Sequence, residues 1–373
     1  MNQADLRTVA RGRMPGLDGL RGIAILLVLM HGFDVLNAPN GLWHGVDLAL
    51  DAGWIGVQLF FVLSGFLITG ILLDTQDSPA YYRNFFVRRV LRIFPLYYGV
   101  LLVAFVFVPL LMSVPADYGA HQLWLWTYTE NFVAPFGDSN PLFPHFWSLC
   151  VEEQFYLVWP LVVRITGRRG VVVLGTALVF IAIASRLYVR VHYGQPIGAE
   201  AAYSFTPCRF DALAIGAVTA ALLRGERIGT QVIHRRGAGF LVRVGLLFVL
   251  TGLIVGRLGR MSEPMQVAGY TVIALGFACV LVSAMAPAAG FFTWAPLRTI
   301  GTYSYAMYVF YAPLHLLAGL PLLARISATP SVPLALAYVV VASLTTFCLA
   351  ALSYRFYERH FLALKPRLAP ASA

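Results

Sequence analysis

Charge is what this 373-residue chain has little of: Asp, Glu, Lys and Arg make up only 12% of it. A water-soluble domain carries about 25%. There is one lysine, Lys365, beside 26 arginines. Cysteine is scarce too. Cys150, Cys208, Cys279 and Cys348 lie in or beside apolar runs, and none has a partner at metal-ligand spacing. Free cysteine behaves as a small buried hydrophobe, so neither a disulfide nor a metal site is expected. There is no internal repeat and no low-complexity stretch, which excludes a repeat architecture. The net charge of +10 is scattered between apolar runs rather than gathered in one basic domain, which argues against nucleic acid as a partner.

Hydrocarbon is what the chain has. Hydrophobic residues are 59% of it, and its mean hydropathy is +0.74. The apolar runs are continuous and about 20 residues long, which predicts helices rather than a barrel. Ten spans are predicted: 18–37, 53–73, 92–113, 146–164, 171–191, 205–223, 239–257, 268–286, 301–323 and 333–356. Pro109 interrupts the third, and Pro313 and Pro321 kink or break the ninth. The N-terminal arginines and first run look like a signal peptide. No small-residue cleavage site follows His31, so the run reads as a retained helix. The expected architecture is an all-α membrane protein, about ten transmembrane helices in a single bundle over residues 1–365. A short disordered tail, 366–373, follows with nothing appended.

Basic residues collect on the cytoplasmic side of membrane proteins. With both termini cytoplasmic, 21 of the 27 basic residues fall on that side, among them Arg7, Arg11, Arg13, Arg21, Arg83, Arg88, Arg89, Arg92 and Arg227. Arg190, Arg257, Arg260 and Arg325 fall outside, and Arg186 and Arg209 within spans. His31 and Asp34 then stand at the outer end of span one, and the arginines of 83–92 on the opposite face.

Ionisable groups within a membrane are functional candidates by default. His31 is the first. It either takes a proton from a substrate hydroxyl or snorkels to the headgroups. Asp34, three residues on, shares its helical face and could orient it, or simply marks the helix end. Glu152 and Glu153 follow His145-Phe146-Trp147-Ser148. Adjacent helical residues diverge by about 100°, so one is expected to face a cavity while the other pairs with an arginine or histidine. The alternative is a helix start that favours acids. Arg88, Arg89 and Arg92 share helical faces and suit phosphates, or rest on anionic lipid. Arg209 and Asp211, two apart, are expected to bridge to other spans, with Glu152 or Glu153 as partners, or to form a structural ion pair. Tyr303, Tyr305, Tyr308 and Tyr311 line a channel or are interfacial aromatics.

In this order the motifs resemble the acyltransferase 3 family of integral-membrane acyltransferases. The resemblance rests on Leu17-Asp18-Gly19-Leu20-Arg21-Gly22 with His31, on the run Gly56 to Ile68, and on Arg88-Arg89-Val90-Leu91-Arg92-Ile93-Phe94-Pro95. Trp147-Ser148-Leu149, Val151 to Tyr156 and Ser304-Tyr305 complete it. It implies ten transmembrane helices and transfer of an acyl group, usually acetyl, from cytoplasmic acyl-CoA to a hydroxyl. It implies essential roles for Arg21 and His31, and a donor-side role for Arg89 and Arg92. Two departures stand out. Nine residues separate Arg21 from His31 where that family usually has ten, and Tyr311 stands where it often has a histidine.

The expected function is therefore O-acyl transfer in a bacterial inner (plasma) membrane, with His31 as general base and Arg21, Asp34, Glu152 and Glu153 beside it. Arg88, Arg89 and Arg92 hold the donor; His145, Arg209, Asp211 and Tyr305 belong to the substrate cavity. Acyl-CoA is the donor substrate, no cofactor is bound permanently, and the acceptor is a carbohydrate or glycolipid. With nothing appended at the C-terminus, a second-step transfer by this same chain is not expected. The rival is a transporter or flippase for a glycan or lipid, which would use the same charges as a substrate path.

Overall fold

Lipid offers backbone groups no hydrogen bonds, so a chain this apolar must satisfy them within helices. The computed structural model describes residues 14–36, 43–114, 118–225, 235–256, 259–286, 290–327 and 329–370. Arg7, Arg11, Arg13, Arg227 and Arg257, part of the charge bias above, lie outside the described residues. All regular elements among the described residues are helical. Nine long helices carry the fold: α1 Pro15–Gly32, α2 Ile55–Asp74, α3 Tyr81–Leu102, α4 Trp147–Tyr193, α5 Thr206–Leu223, α6 Arg235–Val255, α7 Tyr270–Ala284, α8 Ala295–Leu314 and α9 Val332–Ser353.

Eight stretches among the described residues are long and apolar enough to cross a membrane. One of them, α4, has 47 residues and turns at Gly167, where φ is 61°. That conformation suits glycine, which has no Cβ to clash, and it divides α4 into two arms of spanning length. The tenth span is α1. Asp18, Arg21 and His31 dilute its apolar character, yet its 18 residues rise about 27 Å, close to the hydrocarbon thickness. These ten segments fall where the sequence predicts them.

The prolines do not end their helical stretches. The ninth span runs from Ala295 to Ile326 as one stretch. Between Pro313 and Pro321 it passes through a π-helical turn, His315–Gly319, a device that absorbs lost backbone bonds. The most apolar 18 residues of the stretch containing α2 are 78% buried, whereas those of α4 are 22% buried. Leu157, Leu161, Ile165 and Phe180 of α4 face outward, as lipid-facing side chains do.

The expected disordered tail is corrected in part. Lys365–Leu368 forms a helical turn. Arg88 donates through Nε and Nη2 to the Ala369 carbonyl at 3.2 and 2.9 Å. The Ala369 carbonyl, after the last helical turn, gives the Arg88 guanidinium an acceptor. Residues 371–373 lie outside the described residues.

Candidate active site

Two polar centres lie along α1. The first is a cavity of about 110 Å³ within the bundle, lined by Arg21, Ser64, Arg89, Arg92, Glu152 and Glu153, among others. Tyr156, Tyr305 and Tyr308 also line it. Glu152 and Tyr156 are one turn apart on α4, and the Tyr156 hydroxyl donates to Glu152 Oε2 at 3.2 Å. Ser64 of α2 is hydrogen-bonded to the same hydroxyl. The Arg89 guanidinium lies 5.1 Å from the Tyr156 ring centre, a cation–π arrangement. Arg21 also reaches Asp18 Oδ1 at 3.4 Å. Three guanidinium groups thus face two carboxylates in one chamber. A second cavity of about 330 Å³ shares Arg21, Arg92 and Tyr305 with the first and adds Tyr303, Tyr354 and Glu358.

Both glutamates line one cavity, which corrects the expectation that only one does. The chamber wraps around the start of α4 between α2, α3 and α8, so side chains about 100° apart still reach it. Arg88 is corrected as well: it is turned to the tail carbonyl, while Arg89 and Arg92 face the chamber. Tyr305 lines the cavity as expected, with its hydroxyl donating to the Ile93 carbonyl at 2.9 Å.

The second centre is His31. Its Nδ1 is 3.2 Å from Asp51 Oδ1, and its Nε2 is 2.7 Å from Arg260 Nη1. Asp51 ends the short helix His44–Asp51, which leads through Ala52–Trp54 into α2. Asp34 is not the orienting carboxylate. It accepts the Leu36 N–H at 2.9 Å, closing its own turn after α1, and burial raises it above the usual carboxylate range. A carboxylate so engaged is held away from the imidazole. Helix α1 is regular from Arg21 to His31. Ten positions at 100° and 1.5 Å each place the two residues about 80° apart in facing and about 15 Å apart in height. That is why Arg21 enters the cavity and His31 does not.

Aromatic residues bridge the two centres. The Tyr308 hydroxyl lies 2.5 Å from Ser148 Oγ and donates to the His145 carbonyl at 3.1 Å. The buried His145 ring lies 5.1 Å from that of Tyr308 and 4.5 Å from that of Tyr311. Tyr311 meets Phe33, just past the end of α1, edge to face at 6.1 Å. His145 therefore lies between the centres rather than in either.

Arg209 and Asp211 take no part with Glu152 or Glu153. Arg209 is fully buried, donates to Gln58 Oε1 at 2.6 Å, and lies 4.3 Å from the Tyr270 ring centre. Asp211 instead accepts from Arg186 at 2.9 Å and from the Thr271 hydroxyl at 2.6 Å. Residues two apart on a helix point to different neighbours, so the sequence motif splits into two networks. Removing one partner of a buried pair strands the other charge. Asp211→Ala is expected to cost about 3–5 kcal/mol. The double change Arg186→Met with Asp211→Leu should cost less, and thermal unfolding in detergent compares the two.

Asp51, Arg260, Ser64 and Tyr156 are the functional candidates that sequence reasoning missed. Tyr156 had a signal, four residues after Glu152. Arg260 was placed only on the same outer side as His31, and the meeting of Asp51 and Arg260 with His31 exists only in space.

The sequence profile of a family described as an acyltransferase domain matches residues 14–355. The putative peptidoglycan O-acetyltransferase YrhL of Bacillus subtilis is 28% identical over 93% of this chain and 54% of its own length. The peptidoglycan O-acetyltransferase OatA of Listeria monocytogenes is 26% identical over 94% and 56%. The O-acetyltransferase OatA of Staphylococcus aureus is 28% identical over 92% and 56%. The chain thus spans about half the length of these relatives. No solved structure matches it.

Proposed function

Because this chain belongs to the acyltransferase 3 family, we propose that it moves an acetyl group from cytoplasmic acyl-CoA to a carbohydrate hydroxyl across a bacterial plasma membrane. The carrying observation is the division of α1: Arg21 lies in a guanidinium-rich chamber with Arg89 and Arg92, and His31 stands with Asp51 toward the other end of the helix. Both termini are cytoplasmic in this reading, so the chamber opens toward the donor and His31 toward the acceptor. The peptidoglycan named in two of the relatives makes a cell-envelope glycan the first acceptor to test.

Arg89 and Arg92 hold the donor's phosphates, for which guanidinium forks are suited. Glu152 balances their charge and fixes Tyr156. The flexible arm of coenzyme A carries the thioester past Arg21 toward the aromatic residues that separate the two centres. At the top, the acceptor hydroxyl loses its proton to His31 Nε2 and its oxygen bonds to the acyl carbon. The carbon–sulfur bond breaks, and the imidazolium returns the proton to the thiolate. Holding both substrates in one bundle makes the transfer effectively intramolecular.

Membranes given radiolabelled acetyl-CoA test this, with label recovered as alkali-releasable acetate on envelope carbohydrate. Arg92→Gln should raise the KM for acetyl-CoA by about 10- to 100-fold, the worth of one charged hydrogen bond. Arg88→Gln, at the tail carbonyl, should leave that KM near wild type. Purified protein that neither binds nor consumes acetyl-CoA would overturn the reading in favour of a transporter.

A further inference from the structure

Arg260 occupies the atom that the reaction needs. Its Nη1 lies 2.7 Å from His31 Nε2 and 3.8 Å from Asp51 Oδ1. A guanidinium carries donors only and keeps its proton. Two donors cannot face each other at hydrogen-bond distance, so Nε2 must be bare. The ring proton is then on Nδ1, which lies 3.2 Å from Asp51 Oδ1, within ion-pair distance but outside hydrogen-bond geometry. Arg260 thereby excludes both the Nε2–H tautomer and the doubly protonated ring.

Asp51 lies against the imidazole, and Arg260 is the cation beside both. Its backbone is fixed by the Tyr270 hydroxyl, which donates to the Arg260 carbonyl at 2.6 Å. Its guanidinium lies 5.7 Å from the Tyr203 ring centre. The buried Nε has no hydrogen-bond partner among the described residues, so the group keeps a donor free for an incoming oxygen.

We propose that Arg260 is the positioning residue for His31: it holds the ring proton on Nδ1 with Nε2 bare, and yields that nitrogen when acceptor oxygens take its N–H groups. The acceptor class that fits is an oxygen-rich one, a saccharide whose neighbouring hydroxyl or ring oxygens replace the imidazole as acceptors. This inference rests on the reading of His31 as the base.

The test uses full-length protein labelled with ¹⁵N-histidine in lipid nanodiscs. Among eight histidines, His31 is assigned from the spectrum of His31→Gln. Wild type should show His31 protonated on Nδ1 alone at neutral pH. Arg260→Met should no longer hold the ring proton on Nδ1 alone, and Arg260→Lys, which restores a cationic donor, should return the wild-type pattern. In the membrane assay Arg260→Met should lower kcat, by less than the roughly 10²- to 10⁴-fold worth of the base itself, with the KM for acetyl-CoA unchanged. A wild-type ring state and rate in Arg260→Met would overturn the inference. So would a wild-type spectrum with Nε2 protonated, a reading that does not depend on how well the variants fold. Full transfer by His31→Gln would instead remove the base reading itself. An inactive His31→Gln beside a fully active Arg260→Met would remove only the inference.

Discussion

His31→Gln should lower acyl transfer by about 10²- to 10⁴-fold, the usual worth of a positioned general base. Glutamine keeps comparable size and can still meet Asp51 and Arg260, so the bundle should survive. The expected signature is unchanged acetyl-CoA binding and an unchanged unfolding temperature, with acetate no longer reaching envelope carbohydrate. The separation of the two centres makes that split possible, since Arg89, Arg92 and Glu152 line a chamber that His31 does not enter. The companion Asp51→Asn should cost less, because Arg260 still engages the ring. Transfer at the wild-type rate by His31→Gln, at normal protein level, would sink the mechanism.

Gly301→Ala should remove most folded protein. A Cβ at that position would lie 1.8 Å from the Asp18 carbonyl oxygen on α1. The contact is backbone against backbone, so no side chain can turn aside. Beside it, a Cβ at Gly22 would meet the Leu297 carbonyl oxygen of α8 at 2.2 Å. Close backbone approach through small residues is how membrane helices gain packing. Here it sets Arg21 of α1 beside Tyr305 of α8 in the cavity. Forcing the helices apart should exceed the roughly 1–3 kcal/mol of ordinary overpacking. Gly239→Ala is the control, since nothing lies within 4 Å of a Cβ there, and alanine favours the helix. The yield of monodisperse protein in detergent should fall for Gly301→Ala and hold for Gly239→Ala. Equal yields would show that the crossing tolerates expansion.

The fold was legible because membrane insertion is governed by composition along the chain. Runs of the required length predicted ten spans, and the described helices occupy those positions, with the α4 turn at Gly167 falling between two predicted spans. Pro313 was read as a kink or break; the structure shows no break, the helix continuing through a π-helical turn. The chamber was legible in part. Arg21, Arg89, Arg92, Glu152, Glu153 and Tyr305 were named and do converge.

The remaining errors share one cause. Asp34 was paired with His31 because a neighbour in sequence was the neighbour visible. Arg88 was grouped with Arg89 and Arg92 for the same reason. Arg209 and Asp211 do bridge to other spans as expected, but to Gln58 and Arg186 rather than to the glutamates. In a bundle of long helices, contacts are made between residues far apart in the chain. Asp51 and Arg260 reach His31 from 20 and 229 residues away, and Asp211 takes Arg186 from 25. By itself the sequence determined what lipid demands: the number of helices, their lengths, and which residues carry charge within them. Only the tertiary structure decided which charges meet, because helix rotation and crossing are set by packing, and a turn of 100° per residue sends adjacent side chains to different partners.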